Sequence, residues 1–361
     1  MKIVTIVGAR PQFVKAAIVS RALQQTNLQE VLVHTGQHYD DNMSKIFFDE
    51  LEIHKIDYQL GVGSGTQGKQ TGEMIIQIEN ILMQEKPDRL LIYGDTNSTL
   101  AGALAATKLH IPIAHVEAGL RSYNRKMPEE INRLVADQLS DILFTPTETS
   151  VTNLLKEGYS STSIVEVGDV MYDAALYYGE KAKKKSNILS DLQCDNGKYI
   201  LATIHRAENT NHLDNLVNIF TGLERVSETL PIILPLHPRT RNVLEQHYPK
   251  ILSNSKIKII APLGYLDMTI LEKQAALIVT DSGGVQKEAY FYQVPCVTLR
   301  DETEWVETVA LGWNNLVKPD NADNIHQQIM QSLTSRGREN HYPYGKGNAS
   351  QLIANHLQKG H

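Results

Sequence analysis

The sequence predicts a doubly wound α/β fold built twice along one chain. Short β-branched and apolar runs alternate with longer stretches of helical period. That alternation stops near residues 167–173 and restarts at 198, and 361 residues exceed one ordinary domain. In the first series, strands are expected over 2–7, 30–35, 89–93, 112–116 and 141–145. Several are unbroken apolar runs, the pattern of strands buried on both faces of a parallel sheet. Helical stretches over 13–24, 70–85 and 99–109 connect them, as βαβ units require. A lysine-rich run, 181–185, reads as a solvated helix end or linker. The second series places strands over 198–203, 231–236, 256–260, 277–280 and 295–299. Two tandem series imply two Rossmann-like domains with a cleft between them, over 1–170 and 171–348. Ligands of open α/β sheets sit beyond the carboxyl ends of the strands, so the polar clusters ending these strands are the first candidates for a site.

Composition narrows the function classes. With 42% hydrophobic and 21% charged residues the chain is that of a packed globular protein, not a disordered or fibrous one. A net charge of −6 argues against nucleic acid as the partner and requires any polyanion to be met by local cations. No apolar run approaches the roughly 20 residues that span a bilayer. The opening MKIVTIVGAR reads as a strand, not a signal peptide. Cys194 and Cys296 stand in unrelated contexts without metal-ligand spacing. Neither a disulfide framework nor a metal site is expected, and a cytoplasmic setting follows.

The clusters come in chain order. Gly8-Ala9-Arg10-Pro11 ends the first strand in a tight turn with proline at a helix start, and Arg10 and Lys15 add positive charge where free N–H groups attract anions. An ordinary βα turn with two surface cations would look the same. Asp95, in Gly94-Asp95-Thr96-Asn97, is either a helix N-cap or a site carboxylate. Glu117 leaves a strand ahead of Gly119 and Arg121, and Glu129 follows Pro128 in a first helical turn, where the helix dipole alone would favour an acid. In the second half, His205-Arg206 and His237-Pro238-Arg239 end two strands. Asp281-Ser282-Gly283-Gly284 opens a helix as a phosphate cradle does, and Glu288 lies one turn further on. Carboxylates in one half and cations with a phosphate-ready turn in the other suit acid–base chemistry on a sugar that leaves a nucleotide diphosphate.

In these motifs the chain resembles the non-hydrolysing UDP-N-acetylglucosamine 2-epimerases along its whole length. GARPQFVK, GDTNSTLAG, HVEAGLRS, PEEINR, HRAEN, TDSGGVQKEA and NHYPYGKGNASQLIA occur in the family's order. The resemblance implies a GT-B fold whose last helix, within 349–361, returns to the first domain. It implies Asp95, Glu117 and Glu129 as catalytic carboxylates and His205 as the group that stabilises the departing phosphate. Arg10, Lys15, Arg206, His237, Arg239, Ser282, Gly283, Gly284, Glu288 and Arg300 become the expected UDP- and substrate-binding set. It also implies a homodimer acting on a UDP-sugar, with no cofactor, metal, nucleic acid or membrane.

Departures from the family pattern bear on the substrate. Members acting on UDP-N-acetylglucosamine commonly read RPE, QHR, HRRE and TERPE. Here the corresponding residues are Arg10-Pro11-Gln12, Gln37-His38-Tyr39, His205-Arg206-Ala207-Glu208 and Thr303-Glu304-Trp305-Val306-Glu307. This altered set resembles the branch acting on UDP-2,3-diacetamido-2,3-dideoxyglucuronate, with UDP-N-acetylglucosamine as the other candidate. Tyr39, Asp40 and the glycine-rich 61–68 depart from the region where some members bind a second UDP-N-acetylglucosamine as activator. A GT-B glycosyltransferase would use the same fold and UDP site but would need an acceptor groove, and a UDP-sugar sensor would need the cations without three acids.

Overall fold

The computed structural model describes residues 1–37, 48–53, 56–236, 238–247, 249, 252 and 256–359, the side chains of 207, 238 and 239 excepted. His38, Tyr39, Asp40 and His237 lie outside the described residues, as does the side chain of Arg239. The chain divides into two compact units, Met1–Tyr177 with Tyr342–His361, and Tyr178–His341.

The first unit is built on a parallel sheet of β1 (Lys2–Val7), β2 (Gln29–His34), β3 (Tyr58–Gln59), β4 (Arg89–Tyr93), β5 (Ile113–Val116), β6 (Ile142–Thr145) and β7 (Ile164–Glu166). Their order is β3-β2-β1-β4-β5-β6-β7, so the direction of winding reverses between β1 and β4. Helices α1 (Arg10–Leu23), α2 (Gln67–Glu85), α3 (Asn97–Lys108), α4 (Pro128–Leu139), α5 (Glu148–Lys156) and α6 (Val170–Lys185) follow their strands. Val4, Ile6, Val33, Leu90 and Ile92 meet Met74 and Ile78 of α2 and the alanines of α3 in one core cluster. Small residues bring α3 down onto the sheet. A Cβ on Gly102 would lie 3.2 Å from Ile92 and 3.3 Å from Ile6, so a larger residue would lift the helix. The last helix, Ala349–Gln358, packs on α1. Its free N–H groups are capped from α6 by Asp173, which accepts from the Ala349 N–H at 3.0 Å and the Ser350 N–H at 2.8 Å.

The second unit repeats the plan with β8 (Ile200–Thr203), β9 (Ile232–Pro235), β10 (Ile257–Ile260), β11 (Leu277–Thr280), β12 (Cys296–Thr298) and β13 (Asn314–Leu316). The order β10-β9-β8-β11-β12-β13 reverses between β8 and β11, again with every pairing parallel. Its main helices are α7 (Leu213–Val226), α8 (Tyr265–Lys273), α9 (Gly283–Phe291) and α10 (Ala322–Ser332). In α7, Leu216, Ile219, Phe220, Leu223 and Val226 recur at three- and four-residue intervals and bury one face. Ile325 and Ile329 of α10 join that cluster, and Gly222 leaves room for Ile325, whose Cγ2 a Cβ there would meet at 2.8 Å.

All ten expected strands form within two residues of their expected bounds. The edge strands β3, β7 and β13 go beyond expectation, since two or three residues are too short to show a period. Helices α1 to α3 begin two or three residues early. Their first turns carry polar residues, with proline in α1 and glycine in α2, so the apolar period starts late. The lysine run 181–185 forms the last turns of α6, where cations complement the helix dipole. No described helix is long and apolar enough to cross a membrane. Among the described residues, no group of three or more His, Cys, Asp or Glu could hold a metal ion.

His34 ends β2 fully buried, edge-on to Phe13 at 4.9 Å and to Phe48 at 5.8 Å. Among the described residues neither ring nitrogen has a hydrogen-bond partner, and burial pushes the imidazole down to about 4. The unfolded chain therefore takes up a proton that the folded chain refuses. Stability is expected to fall by at most about 3 kcal/mol as pH drops from the ordinary histidine range through about 4. Urea melts across that range should show the slope flattened in His34→Leu, and an unchanged slope would assign the acid sensitivity to other groups.

Candidate active site

Both sheets reverse their winding once, and each reversal opens a crevice past the carboxyl ends of two neighbouring strands. In the first unit those strands are β1 and β4. Gln12 of α1 ties their turns together. Its carboxamide accepts from the N–H groups of Gly8 (2.8 Å) and Ala9 (3.2 Å). It donates to the Tyr93 carbonyl (2.7 Å) and to Thr99 Oγ1 (3.0 Å). All four hydrogen-bonding sites of an amide are used, and a carboxylate at this position could not donate. Gly8 has no space for a Cβ, which would run into the Ser98 and Thr35 hydroxyls.

Asp95 follows β4. Thr96 occupies the N-cap of α3, which leaves the Asp95 carboxylate available for another partner. That partner is Arg133 of α4, whose Nε and Nη2 donate to Asp95 Oδ2 at 3.0 and 2.6 Å. Asn132 Nδ2 donates to the Asp95 carbonyl at 2.9 Å. Glu117 follows β5 with φ of +75°, a conformation L-residues adopt at a cost of about 1–3 kcal/mol and keep where the surroundings impose it. Its carboxylate pairs with Lys15, both side chains nearly buried. Gly94 lies against that pair, with room for a Cβ only 3.2 Å from Glu117 Oε2. Lys15, expected among the UDP-binding cations, is thus placed on a candidate catalytic acid. Arg10 opens α1 as an exposed residue.

The two adjacent acids of α4 part company. Glu129 is exposed, whereas Glu130 is buried and accepts from the N–H groups of Ser122 and Tyr123, both at 2.9 Å, and from Arg133 at 2.8 Å. Burial works to raise the Glu130 carboxyl, but these donors outweigh it and hold the group below its usual range. Glu130 therefore folds the loop before α4 and, through Arg133, supports Asp95. A second buried acid of α4, Asp137, meets His115 Nδ1 at 2.7 Å and Arg121 Nη1 at 2.7 Å. Burial again opposes ionisation, and His115 and Arg121 prevail to hold Asp137 low.

In the second unit the reversal lies between β8 and β11. Asp281 ends β11 fully buried and accepts from the N–H groups of His205 (3.1 Å) and Arg206 (3.0 Å) and from Asn209 Nδ2 (3.1 Å). The turn carrying His205 and Arg206 is fixed by those bonds. The half-exposed His205 ring keeps its Nδ1 3.6 Å from Asp281, beyond hydrogen-bond range. Ser282 caps α9, and Gly283 and Gly284 form its first turn, where N–H groups have no partner within the helix. A Cβ on Gly283 would fill the space beside Glu304 Oε1, Trp305 Nε1 and Arg206 Nη2, at 3.4, 3.6 and 3.7 Å. Lys287 lies 3.7 Å above the Trp305 ring. Glu288, nearly buried, accepts from the Tyr265 hydroxyl at 3.1 Å. Burial and the nearby Glu288 push the Glu272 carboxyl well above the usual range. Arg300 donates to Glu304 at 3.2 Å.

Of the expected residues, Lys15, Asp95 and Glu117 converge at one reversal, with Glu129 at the start of the helix that holds Asp95. His205, Arg206, Ser282, Gly283 and Gly284 gather at the other, and Glu288 and Arg300 stand on the elements that follow. Sequence reasoning assigned no supporting role to Gln12, His115, Arg133, Asp137 or Asp281. Asp281 carried a local signal, as the polar residue ending an apolar strand, and Gln12 one as a departure from the family pattern.

Comparison with known proteins finds relatives along the whole chain. The family model described as UDP-N-acetylglucosamine 2-epimerase matches residues 21–358. A UDP-N-acetylglucosamine 2-epimerase homolog of Methanococcus maripaludis is 55% identical, over 99% of both chains. The UDP-2,3-diacetamido-2,3-dideoxy-D-glucuronate 2-epimerase of Pseudomonas aeruginosa is 51% identical over 99% of this chain and 100% of that one. The crystal structure of Methanocaldococcus jannaschii UDP-GlcNAc 2-epimerase in complex with UDP-GlcNAc and UDP matches with a TM-score of 0.93 and 46% identity, covering both chains completely.

The split between the two acids of α4 is testable by calorimetry. Glu130→Gln is expected to lose about 2–4 kcal/mol, because a buried charge on Arg133 is left poorly matched. Glu129→Gln should unfold at the wild-type temperature. Equal losses in both would show that Glu129 is also structural.

Proposed function

This chain belongs to the UDP-N-acetylglucosamine 2-epimerase family, and on that premise we propose that it inverts C2 of a UDP-N-acetylhexosamine, gluco to manno, through a 2-acetamidoglycal. As a UDP-sugar 2-epimerase it is an isomerase. The C2 hydrogen has no neighbouring carbonyl to acidify it. Expelling UDP from C1 develops positive charge beside C2, after which a carboxylate can remove the proton. Re-adding UDP, with a proton delivered to the opposite face of C2, completes the inversion.

Each unit supplies one part of this chemistry. His205, Arg206 and the N–H groups of Ser282-Gly283-Gly284 stabilise UDP as it departs, and Glu288 takes the ribose hydroxyls. Asp95, Glu117 and Glu129 handle the C2 proton. Lys15 and Arg133 balance the charge of Glu117 and Asp95, so two acids coexist at neighbouring strand ends. That pairing of acids with dedicated cations is the observation carrying the reading. A UDP-sugar sensor would need the turn at Gly283 without it.

The favoured substrate is UDP-2,3-diacetamido-2,3-dideoxyglucuronate, supported by the Glu304-Trp305-Val306-Glu307 segment and by the named activity of the Pseudomonas relative. UDP-N-acetylglucosamine is the alternative, supported by the Methanocaldococcus relative. The product feeds surface-polysaccharide synthesis, and the working form is a cytoplasmic homodimer.

The test is proton NMR in D₂O with each UDP-sugar. A manno epimer carrying deuterium at C2 is expected from the uronate, while a wild type inert towards both sugars would overturn the reading. Asp95→Asn and Glu117→Gln should bind UDP as the wild type does and turn over at least about 100-fold more slowly. Loss of UDP affinity in step with turnover would make them structural.

A further inference from the structure

We propose that the buried chain His115–Asp137–Arg121–Glu157 is a positioning device that sets the Asp95 and Glu117 turns as one piece, with Asp137 as its hub. The inference rests on the epimerase reading for the role of those two acids; the coupling itself rests on the geometry.

His115 Nε2 lies 2.7 Å from the Gly94 carbonyl, which can only accept, so Nε2 carries its hydrogen. On its other side Nδ1 meets Asp137 Oδ1 at 2.7 Å. The second oxygen of Asp137 accepts from the Gly119 N–H at 3.1 Å and from Arg121 Nη1 at 2.7 Å. Arg121 then reaches Glu157 with Nε at 2.8 Å and Nη2 at 2.7 Å. His115 and Gly119 stand two residues before and two residues after Glu117. Asp137 therefore grips the Glu117 turn on both flanks. Through His115 it also grips Gly94, the residue before Asp95.

The Glu117 turn needs holding. Glu117 has φ of +75°, a conformation that a non-glycine residue keeps only when several contacts impose it. Gly119 adopts its φ of +80° without such cost, and a Cβ there would stand 2.5 Å from the Ser150 carbonyl. Stability alone does not account for the device, since apolar residues of similar volume often replace a buried ion cluster without loss. What hydrogen bonds to fixed N–H and carbonyl groups add is geometry. Asp137 and His115 are fully buried and Arg121 nearly so, so they act through the turns they hold. They are positioning residues.

The test uses full-length Asp137→Asn, His115→Phe and His115→Gln, the last keeping a donor towards the Gly94 carbonyl. Two readouts are taken: hydrogen exchange of peptides covering residues 94–99 and 115–121, and steady-state epimerisation. In Asp137→Asn and His115→Phe both peptides should exchange faster together, and kcat should fall at least about 100-fold while KM stays within about threefold. His115→Gln should recover at least tenfold of the kcat lost in His115→Phe. Loosening of one peptide alone, unchanged exchange in both, or equal kcat in the Gln and Phe variants would overturn the proposal. A wild type that epimerises neither UDP-sugar would sink the functional reading, and the exchange data would still decide whether the two turns move as one.

Discussion

A carboxylate buried at the end of a parallel sheet must find donors, and in this chain the donors are backbone N–H groups of the turns that bear the site. Asp281 holds the His205-Arg206 turn, Asp137 holds Gly119, and Glu130 holds Ser122 and Tyr123. Asp173 does the same for the last helix. Each bond satisfies a charge that would otherwise be costly to bury and a backbone group that would otherwise be orphaned. The geometry of the site follows from this mutual need more than from the sheet itself, whose strands only bring the turns near one another.

The two units solve opposite electrostatic problems. The first collects acids, and two of them are paired with cations: Glu117 with Lys15 and Asp95 with Arg133. In the second, the buried Asp281 bonds to N–H groups. Arg206 and His205 stay partly exposed beside the helix opened by Gly283.

Gln12 and Trp305 each contact a turn that follows a strand. Gln12 joins the β1 and β4 turns through four hydrogen bonds, two of which need the amide donor. Trp305 presents its ring to the Lys287 ammonium and its Nε1 towards Gly283.

Periodicity and punctuation determined a great deal by themselves. Short apolar and β-branched runs marked the ten main strands, prolines and glycines marked the turns, and the polar clusters after the strands marked the candidate site. Those signals are local, written in neighbouring residues by burial and backbone conformation. What the sequence left open was every choice made by residues far apart. That Asp95 pairs with Arg133 and leaves the cap to Thr96 was decided across 38 residues, and the place of Lys15 by Glu117, 102 residues along. Glu129 and Glu130 share the same first helical turn and the same dipole, and only the loop folded over one of them separates exposed acid from buried clamp. Asp137 carried no local mark at all, because a polar residue inside a helix gains its meaning from what the tertiary structure places against it.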